Sequence, residues 1–431
     1  MRIALAYSGG LDTSIIIPYL KETRPGAEII AVCADVGQGE DLEAVRQKAL
    51  RTGASDAVVL DLKETFVTRH IWPALRLGAR YQGRYLLGTA LARPVIAQAL
   101  VETALAKGAD AIAHGATGKG NDQVRFETAA AALAPDLEVI APWREWAITS
   151  RLEAMAYAKA HGVPVDATPK EPFSRDANLW HISHEGGTLE DVTLAPPGGL
   201  LKMSATPEEA PDEVTELSVS FTSALPAAVN GKSLDPVSLV ETLNTLAGHA
   251  GVGTVDMVED RLVGMKSRGV YETPAGVVLY EALEALRSVA LDRRSRRLLA
   301  SLSTEYAELL YDGLYFTPSR AAIEAAAEVL TKSATGTVRL GLYKGNIRIL
   351  SIQAAAPLYD EDLVSFDQVV NFQHSDATGY LRLYTMPLKV MAKAQAKAQA
   401  KAGAGAPASG SATSAPEPVT AAPGASAGHV D

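Results

Sequence analysis

The chain reads as a doubly wound parallel-sheet α/β domain followed by an α+β domain, a C-terminal helix and a low-complexity tail. Three observations carry this reading. Short, almost continuously apolar runs alternate with helical segments early in the sequence, a proline-rich stretch ends that alternation, and no aromatic residue follows Tyr384. Strands apolar on both faces belong in a sheet covered by helices on both sides, which is the parallel α/β arrangement.

In chain order, the expected strands are Ile3 to Tyr7, Glu28 to Asp35, Asp56 to Asp61 and Ala109 to Ala113, with Leu137 to Ala141 a weaker fifth. A helix over Asp12 to Lys21 should follow the first strand. Asp41 to Arg51 and Pro94 to Lys107 carry apolar residues every three or four positions, which is the helical period. Pro164 to Pro172 contains three prolines, and Gly186-Gly187, Pro196-Pro197 and Gly198-Gly199 punctuate the chain beyond it, so a second domain should start near Pro164. Within it Glu216 to Ala224 reads as a strand, Pro236 to Gly248 as a helix, and Gly276 to Tyr311 as a helical region interrupted near Arg293. Thr337 to Leu342 and Asn346 to Ile352 form a hairpin about Tyr343-Lys344-Gly345-Asn346. The Ala, Gly, Pro and Ser mixture that ends at Asp431 cannot bury a core and predicts disorder. The four-residue spacing of Lys393, Lys397 and Lys401 instead allows a helix to extend from Pro387.

Composition narrows the function classes. A length of 431 residues is about three domain lengths. With 47% hydrophobic and 21% charged residues the chain can bury a sizeable core. A formal net charge of -10 disfavours a phosphate-backbone partner, so small molecules rather than nucleic acid are expected. The single cysteine, Cys33, rules out an intrachain disulfide, a cysteine metal cluster or a two-cysteine sulfur relay, and it reads as a buried strand residue. No leader or spanning-length apolar run is visible, so a cytoplasmic protein with no membrane partner is expected.

The first chemical signal is Ser8-Gly9-Gly10-Leu11-Asp12-Thr13-Ser14, placed where the first strand must turn into a helix. Two glycines let the backbone take positive φ and approach a ligand, the hydroxyls add donors, and a helix start presents unsatisfied N–H groups. This is a phosphate cradle without the Gly-Lys-Ser/Thr end of a Walker loop. A capped β-α turn with no ligand is the plainer alternative. The whole string resembles the PP-loop of ATP pyrophosphatases, which cleave ATP between its α- and β-phosphates. Further strings resemble the argininosuccinate synthase family: Gly88-Thr89-Ala90-Leu91-Ala92-Arg93-Pro94, the run from His114 to Glu127, Asn178-Leu179-Trp180-His181-Ile182-Ser183, and the run from Gly264 to Pro274. The resemblance covers roughly Met1 to Leu388.

It implies a nucleotide-binding domain over residues 1–165, a synthetase domain over 166–360, an oligomerisation segment over 361–390 and a tail over 391–431. It also implies that ATP meets Ala6, Tyr7, Ser8, Gly9, Gly10, Leu11, Asp12, Thr13, Ser14, Ala34 and Gly115, with Mg2+ on the phosphates near Asp12. L-aspartate falls to Thr117, Asn121 and Asp122. L-citrulline falls to Tyr85, Asn121, Arg125, Ser174, Ser183, Glu259 and Tyr271. The residue chemistry agrees, since Asp122 can accept from an ammonium, Arg125 can fork onto a carboxylate, and hydroxyls with a glutamate suit a ureido group. Asn121 and Asp122 would otherwise read as a turn and helix cap. Two positions depart from the family. Ala90 stands where the family often has a citrulline-contacting serine, and Asp260-Arg261-Leu262 follows Glu259 where Asn-Arg-Phe is commoner. Lys119 resembles a Walker lysine but no Ser or Thr follows it.

His114, His181 and His184 lack a third metal ligand at recognisable spacing and read as structural. The run Arg293-Arg294-Ser295-Arg296-Arg297 reads as a solvated or ion-paired helix face, with an oligomer contact as the alternative. The implied activity joins citrulline to aspartate through citrullyl-AMP in a homotetramer, with Asp12 and Asp122 as candidate catalytic residues and either Asp122 or a phosphate oxygen taking the ammonium proton. The rivals are another PP-loop adenylating enzyme and a nucleotide-binding sensor.

Overall fold

A computed structural model of the chain describes residues 1–148, 150–164, 173–365 and 373–404. The described residues up to Tyr359 form one compact unit and those from Asp360 onward a second.

The first unit opens with five parallel strands: β1 (Arg2–Ala6), β2 (Glu28–Asp35), β3 (Asp56–Asp61), β4 (Ala111–Ala113) and β5 (Glu138–Ile140). Their order is β3-β2-β1-β4-β5, so successive connections run outward from β1 on one side and then cross to the other. Side-chain alternation divides the apolar residues between two faces. Ile3, Leu5, Ile29 and Ala31 pack with Ile16, Ile17 and Leu20, while Ala4, Ile30 and Val32 pack with Leu100, Val101 and Phe126. Cys33 belongs to the first of these clusters, and burial pushes its thiol up to about 11.

Two prolines explain departures from the expected helices. The expected helix from Asp12 to Lys21 is divided into Leu11–Ser14 and Ile16–Thr23. Pro18 lacks the N–H that would bond to the Ser14 carbonyl, and the break falls at Ile15. The helix expected to begin at Pro94 begins at Gly88 and carries Pro94 inside it, continuing to Ala106. Proline is commonest at a helix start, which is why the pattern misplaces the boundary. The helix Leu42–Thr52 starts where its cap predicts, with the Asp41 side chain accepting from Ala44 N.

Beyond the parallel sheet the chain forms two antiparallel sheets. One has the order β11-β12-β7-β6 and comprises β6 (Ser174–Ala177), β7 (Ile182–Glu185), β11 (Thr254–Asp260) and β12 (Lys266–Glu272). The other has the order β10-β9-β8-β13-β14 and comprises β8 (Thr215–Thr222), β9 (Leu225–Val229), β10 (Lys232–Ser233), β13 (Gly336–Tyr343) and β14 (Asn346–Ala354). The expected hairpin is β13 and β14. Helices Pro236–His249, Pro274–Ala290, Arg293–Tyr311 and Pro318–Leu330 complete the unit. The largest core joins these helices to β8, β13 and the segment from Phe66 to Val95, with Trp180, Tyr306 and Tyr311 buried in it. Together the parallel sheet and the later α+β part give the expected fold class.

In the second unit, Asp376–Tyr384 and Met386–Ala404 are helices. The latter takes the helical alternative at Lys393, Lys397 and Lys401, where composition alone predicts disorder. Residues 405–431 of the expected disordered tail lie outside the described residues. Among the described residues, no helix is long and apolar enough to cross a membrane.

Candidate active site

The switch in strand order puts the ends of β1 and β4 beside each other, and open parallel sheets bind ligands at such a point. Ser8 to Gly10 follow β1. Gly9 has φ +75°, and a Cβ there would lie 3.0 Å from Val45 Cγ1. The turn is closed by hydroxyls: Ser8 Oγ and Thr13 Oγ1 are 3.1 Å apart, Tyr7 Oη and Ser14 Oγ 3.0 Å, and Ser14 Oγ donates to the Gly9 carbonyl at 3.3 Å. Lys48 Nζ donates to the same carbonyl at 2.8 Å, bringing a cation to the turn from a different helix. Asp12 is exposed beside it, while its backbone carbonyl accepts from Trp143 Nε1 at 3.4 Å. Ala6 ends β1, and Ala34 lies at the same end of the sheet on the adjoining β2. Gly115, just after β4, presses on this turn, since a Cβ there would sit 2.9 Å from Thr13 Cγ2.

A separate cleft of about 120 Å3 is lined by Tyr85, Thr89, Gly120, Asn121, Asp122, Arg125, Asp176, Glu185, Glu259, Arg261, Tyr271 and Tyr311. Asp122, the first residue of the helix Asp122–Leu133, is clamped between two guanidiniums. Arg93 Nε reaches its Oδ2 at 2.7 Å and Arg125 Nη1 its Oδ1 at 3.1 Å, while Arg93 Nη2 also meets Asp176 at 3.0 Å. Burial opposes the Asp122 charge, but Arg93 and Arg125 outweigh it and hold the carboxyl below its usual range. Arg125 donates from Nε and Nη2 to the Tyr311 carbonyl at 3.2 and 2.9 Å. Its fork is therefore engaged by backbone and by Asp122, in contrast to the open fork expected from its type. Asn121 is similarly committed, donating to Tyr311 Oη at 2.9 Å and accepting from Leu262 N at 3.0 Å.

Aromatic rings shape the other side. Tyr85 stacks on Tyr271 at 4.3 Å, and its hydroxyl accepts from Thr89 N at 2.9 Å. Glu259 is buried, and its Oε2 has no partner. Burial raises its pKa, against the lowering effect of the Tyr311 and Tyr271 hydroxyls. Glu185 forms an ion pair with Arg261, yet burial pushes its pKa up to about 7, with Glu259, Asp176 and Asp122 adding to the rise.

Of the expected residues, the cleft gathers Tyr85, Asn121, Asp122, Arg125, Glu259 and Tyr271. Ala90 is buried in the helix Gly88–Ala106 and does not line it. Thr117 and Ser174 are exposed outside its lining, and Ser183 is buried, accepting from Asp176 N at 3.2 Å. Lys119 is exposed and offers its carbonyl to Arg261 Nη1 at 3.4 Å. Arg93, Asp176, Glu185, Arg261 and Tyr311 are site residues to which the sequence reading assigned no role. Strand alternation could have found two of them, because Asp176 and Glu185 each stand two residues after an expected serine and share its face.

The histidines are tied into local bonds. His184 lies between Glu272 at 2.7 Å and Arg175 at 2.9 Å, His181 contacts Thr89 Oγ1 at 3.1 Å, and His114 receives Ala116 N at 3.3 Å. Burial lowers His181 to about 3. Among the described residues, no group of three potential ligands could hold a metal ion.

A glycine-turn cradle at the switch point of a parallel sheet, beside a cleft of paired charges, defines an α/β enzyme with a nucleotide-binding domain. The family profile described as the arginosuccinate synthase N-terminal HUP domain matches residues 2–164, and that of the arginosuccinate synthase C-terminal domain matches residues 173–391. The chain is 54% identical over 391 residues to argininosuccinate synthase of Moorella thermoacetica, covering 91% of this chain and 96% of that one. The corresponding enzyme of Desulfitobacterium hafniense is 53% identical, over 91% of this chain and 97% of that one. The chloroplastic enzyme of Arabidopsis thaliana is 51% identical, over 91% and 79%. The chain belongs to the argininosuccinate synthase family.

Proposed function

We propose that the chain condenses L-citrulline with L-aspartate at the expense of ATP, forming argininosuccinate, AMP and pyrophosphate through citrullyl-AMP. The observation that carries this is the close approach of Gly115 to Thr13, where a Cβ on Gly115 would meet Thr13 Cγ2, bringing the β1 turn to the loop that leads into Asn121, Asp122 and Arg125. In the first step the citrulline ureido oxygen attacks the α-phosphorus and pyrophosphate leaves. In the second the aspartate amine attacks the activated ureido carbon and AMP leaves.

ATP is assigned to Ala6 through Ser14, with Ala34 and Gly115, and the turn's N–H groups and hydroxyls stabilise the departing pyrophosphate. The exposed Asp12 carboxylate fits the hard oxygen chemistry of Mg2+, which neutralises phosphate charge when bound. Aspartate is assigned to Thr117, Asn121 and Asp122, where the doubly paired Asp122 holds an ammonium rather than removing its proton. Citrulline is assigned to Tyr85, Asn121, Arg125, Ser174, Ser183, Glu259 and Tyr271, with the unpartnered Glu259 Oε2 accepting from the ureido N–H groups. Glu185 is the proton acceptor for the aspartate amine, because it lines the same cleft and is the carboxyl there pushed up to about 7. The exposed Tyr380, Leu381, Leu383, Tyr384, Leu388 and Val390 of the second unit support self-association, for which a homotetramer is the proposed form.

Product analysis tests the reaction. At steady state AMP and pyrophosphate form only when both amino acids are supplied, and release of ADP under those conditions rejects the scheme.

A further inference from the structure

The run Arg293-Arg294-Ser295-Arg296-Arg297 opens the helix Arg293–Tyr311, whose first turn contains no acidic residue. Arginines there oppose the positive end of the helix dipole. The Asp292 cap accepts from Arg294 N and Ser295 N, and among the described residues it forms no ion pair with the guanidiniums of the run. Arg296 and Arg297 line a cavity of about 380 Å3 that shares no lining residue with the active-site cleft.

The deepest charge in it is Arg287, which is 4% exposed. Its Nη2 donates to the Leu75 and Arg76 carbonyls at the end of the helix Trp72–Leu77. The rest of its head is poorly satisfied. Nε has no partner, and the nearest carboxylate to Nη1 is Glu284 at 3.8 Å, itself bonded to Arg296 at 2.8 Å. Gly78, at φ +74°, leaves space beside Nη1, where a Cβ would lie at 3.2 Å. Burial lowers the Arg287 pKa to about 10, so it remains charged at neutral pH. On the rim Arg80 pairs with Glu281 at 3.2 Å, and Arg297 has no ion pair among the described residues. Four guanidiniums therefore share two carboxylates, and a buried cation without a full partner is costly to keep.

We propose that this cavity binds a small ligand with an oxyanion head, a phosphate monoester or a carboxylate, received by Arg287 Nη1 and Arg297. Leu75, Leu299 and the Tyr280 ring surround its apolar body. The assignment is independent of the reaction proposed above.

Isothermal titration of the full chain tests it, with a nonhydrolysable ATP analogue, citrulline and aspartate all saturating, so that added anion can enter neither the β1 turn nor the cleft. Inorganic phosphate and succinate are titrated separately, and the tighter binder identifies the head. One saturable site per chain is expected, weakened at least about tenfold by Arg297→Ala, the loss of one charge-assisted contact. Arg297 is exposed and unpaired, so the variant should keep wild-type folding and turnover. The absence of saturable binding by either anion, or binding that Arg297→Ala leaves within twofold, overturns the proposal.

Discussion

The turn after β1 is made by neighbouring residues that bond to one another, whereas the cleft draws side chains from segments as distant as Tyr85 and Tyr311. The two also differ in electrostatics. The turn offers neutral dipoles, one lysine and an exposed aspartate, while the cleft sets Arg93, Arg125 and Arg261 against Asp122, Asp176, Glu185 and Glu259. A contiguous turn can fail locally and leave the fold intact. A charge network between elements couples chemistry to stability, because each removed partner leaves another charge buried.

The comparison breaks most directly at Asp122. Asp122→Ala leaves Arg93 and Arg125 without their shared carboxylate, and a loss of ~3–5 kcal/mol in unfolding free energy is expected. Turnover should fall more than about a thousandfold, equivalent to roughly 4 kcal/mol of transition-state stabilisation. Denaturant melts and steady-state rates measure both, and an unchanged melt would show that the network is not structural. Next in size is Glu185→Gln, expected to lower kcat about a hundredfold by removing the base. A carboxyl raised to about 7 is the active base only above that pH, so the wild-type kcat/KM should rise with pH through about 7 and level off above it. The variant should lose that limb. A limb that persists in Glu185→Gln assigns the proton to another group.

Legibility divides in the same way. The limits of β2 and β3 match the expected strands because their apolar runs are uninterrupted, and the turn after β1 is visible because its chemistry is contiguous. The sheet containing β6 and β7 is harder to read, since Arg175, Asp176, His184 and Glu185 replace apolar residues in strands that face charge networks. Pro94 hides the start of its helix for a local reason and Tyr311 hides its role for a global one. The Tyr311 carbonyl receives Arg125 only because the helix Arg293–Tyr311 ends against the helix Asp122–Leu133. No spacing within either segment contains that fact.

A smaller effect is expected at the turn itself. Gly9→Ala places a Cβ 3.0 Å from Val45 in a backbone at φ +75°. The conformational cost is ~1–2 kcal/mol. The KM for ATP should rise about tenfold, the kinetic equivalent of roughly 1.4 kcal/mol, while the citrulline KM at saturating ATP stays near its wild-type value. A matching rise in both constants would show that the turn and the cleft act as one structure.

The smallest effect is expected at Ala90, where the family often carries serine. Ala90 is fully buried in the helix Gly88–Ala106, and its neighbour Thr89, rather than Ala90, lines the cleft. Thr89 is already committed through N to Tyr85 and through Oγ1 to His181. A serine hydroxyl at position 90 adds one polar atom to a buried helix turn that lies outside the cleft lining, so Ala90→Ser should change the citrulline KM by less than about threefold. A tenfold fall in that KM would place position 90 in the citrulline site and extend the charge-built cleft into the helix.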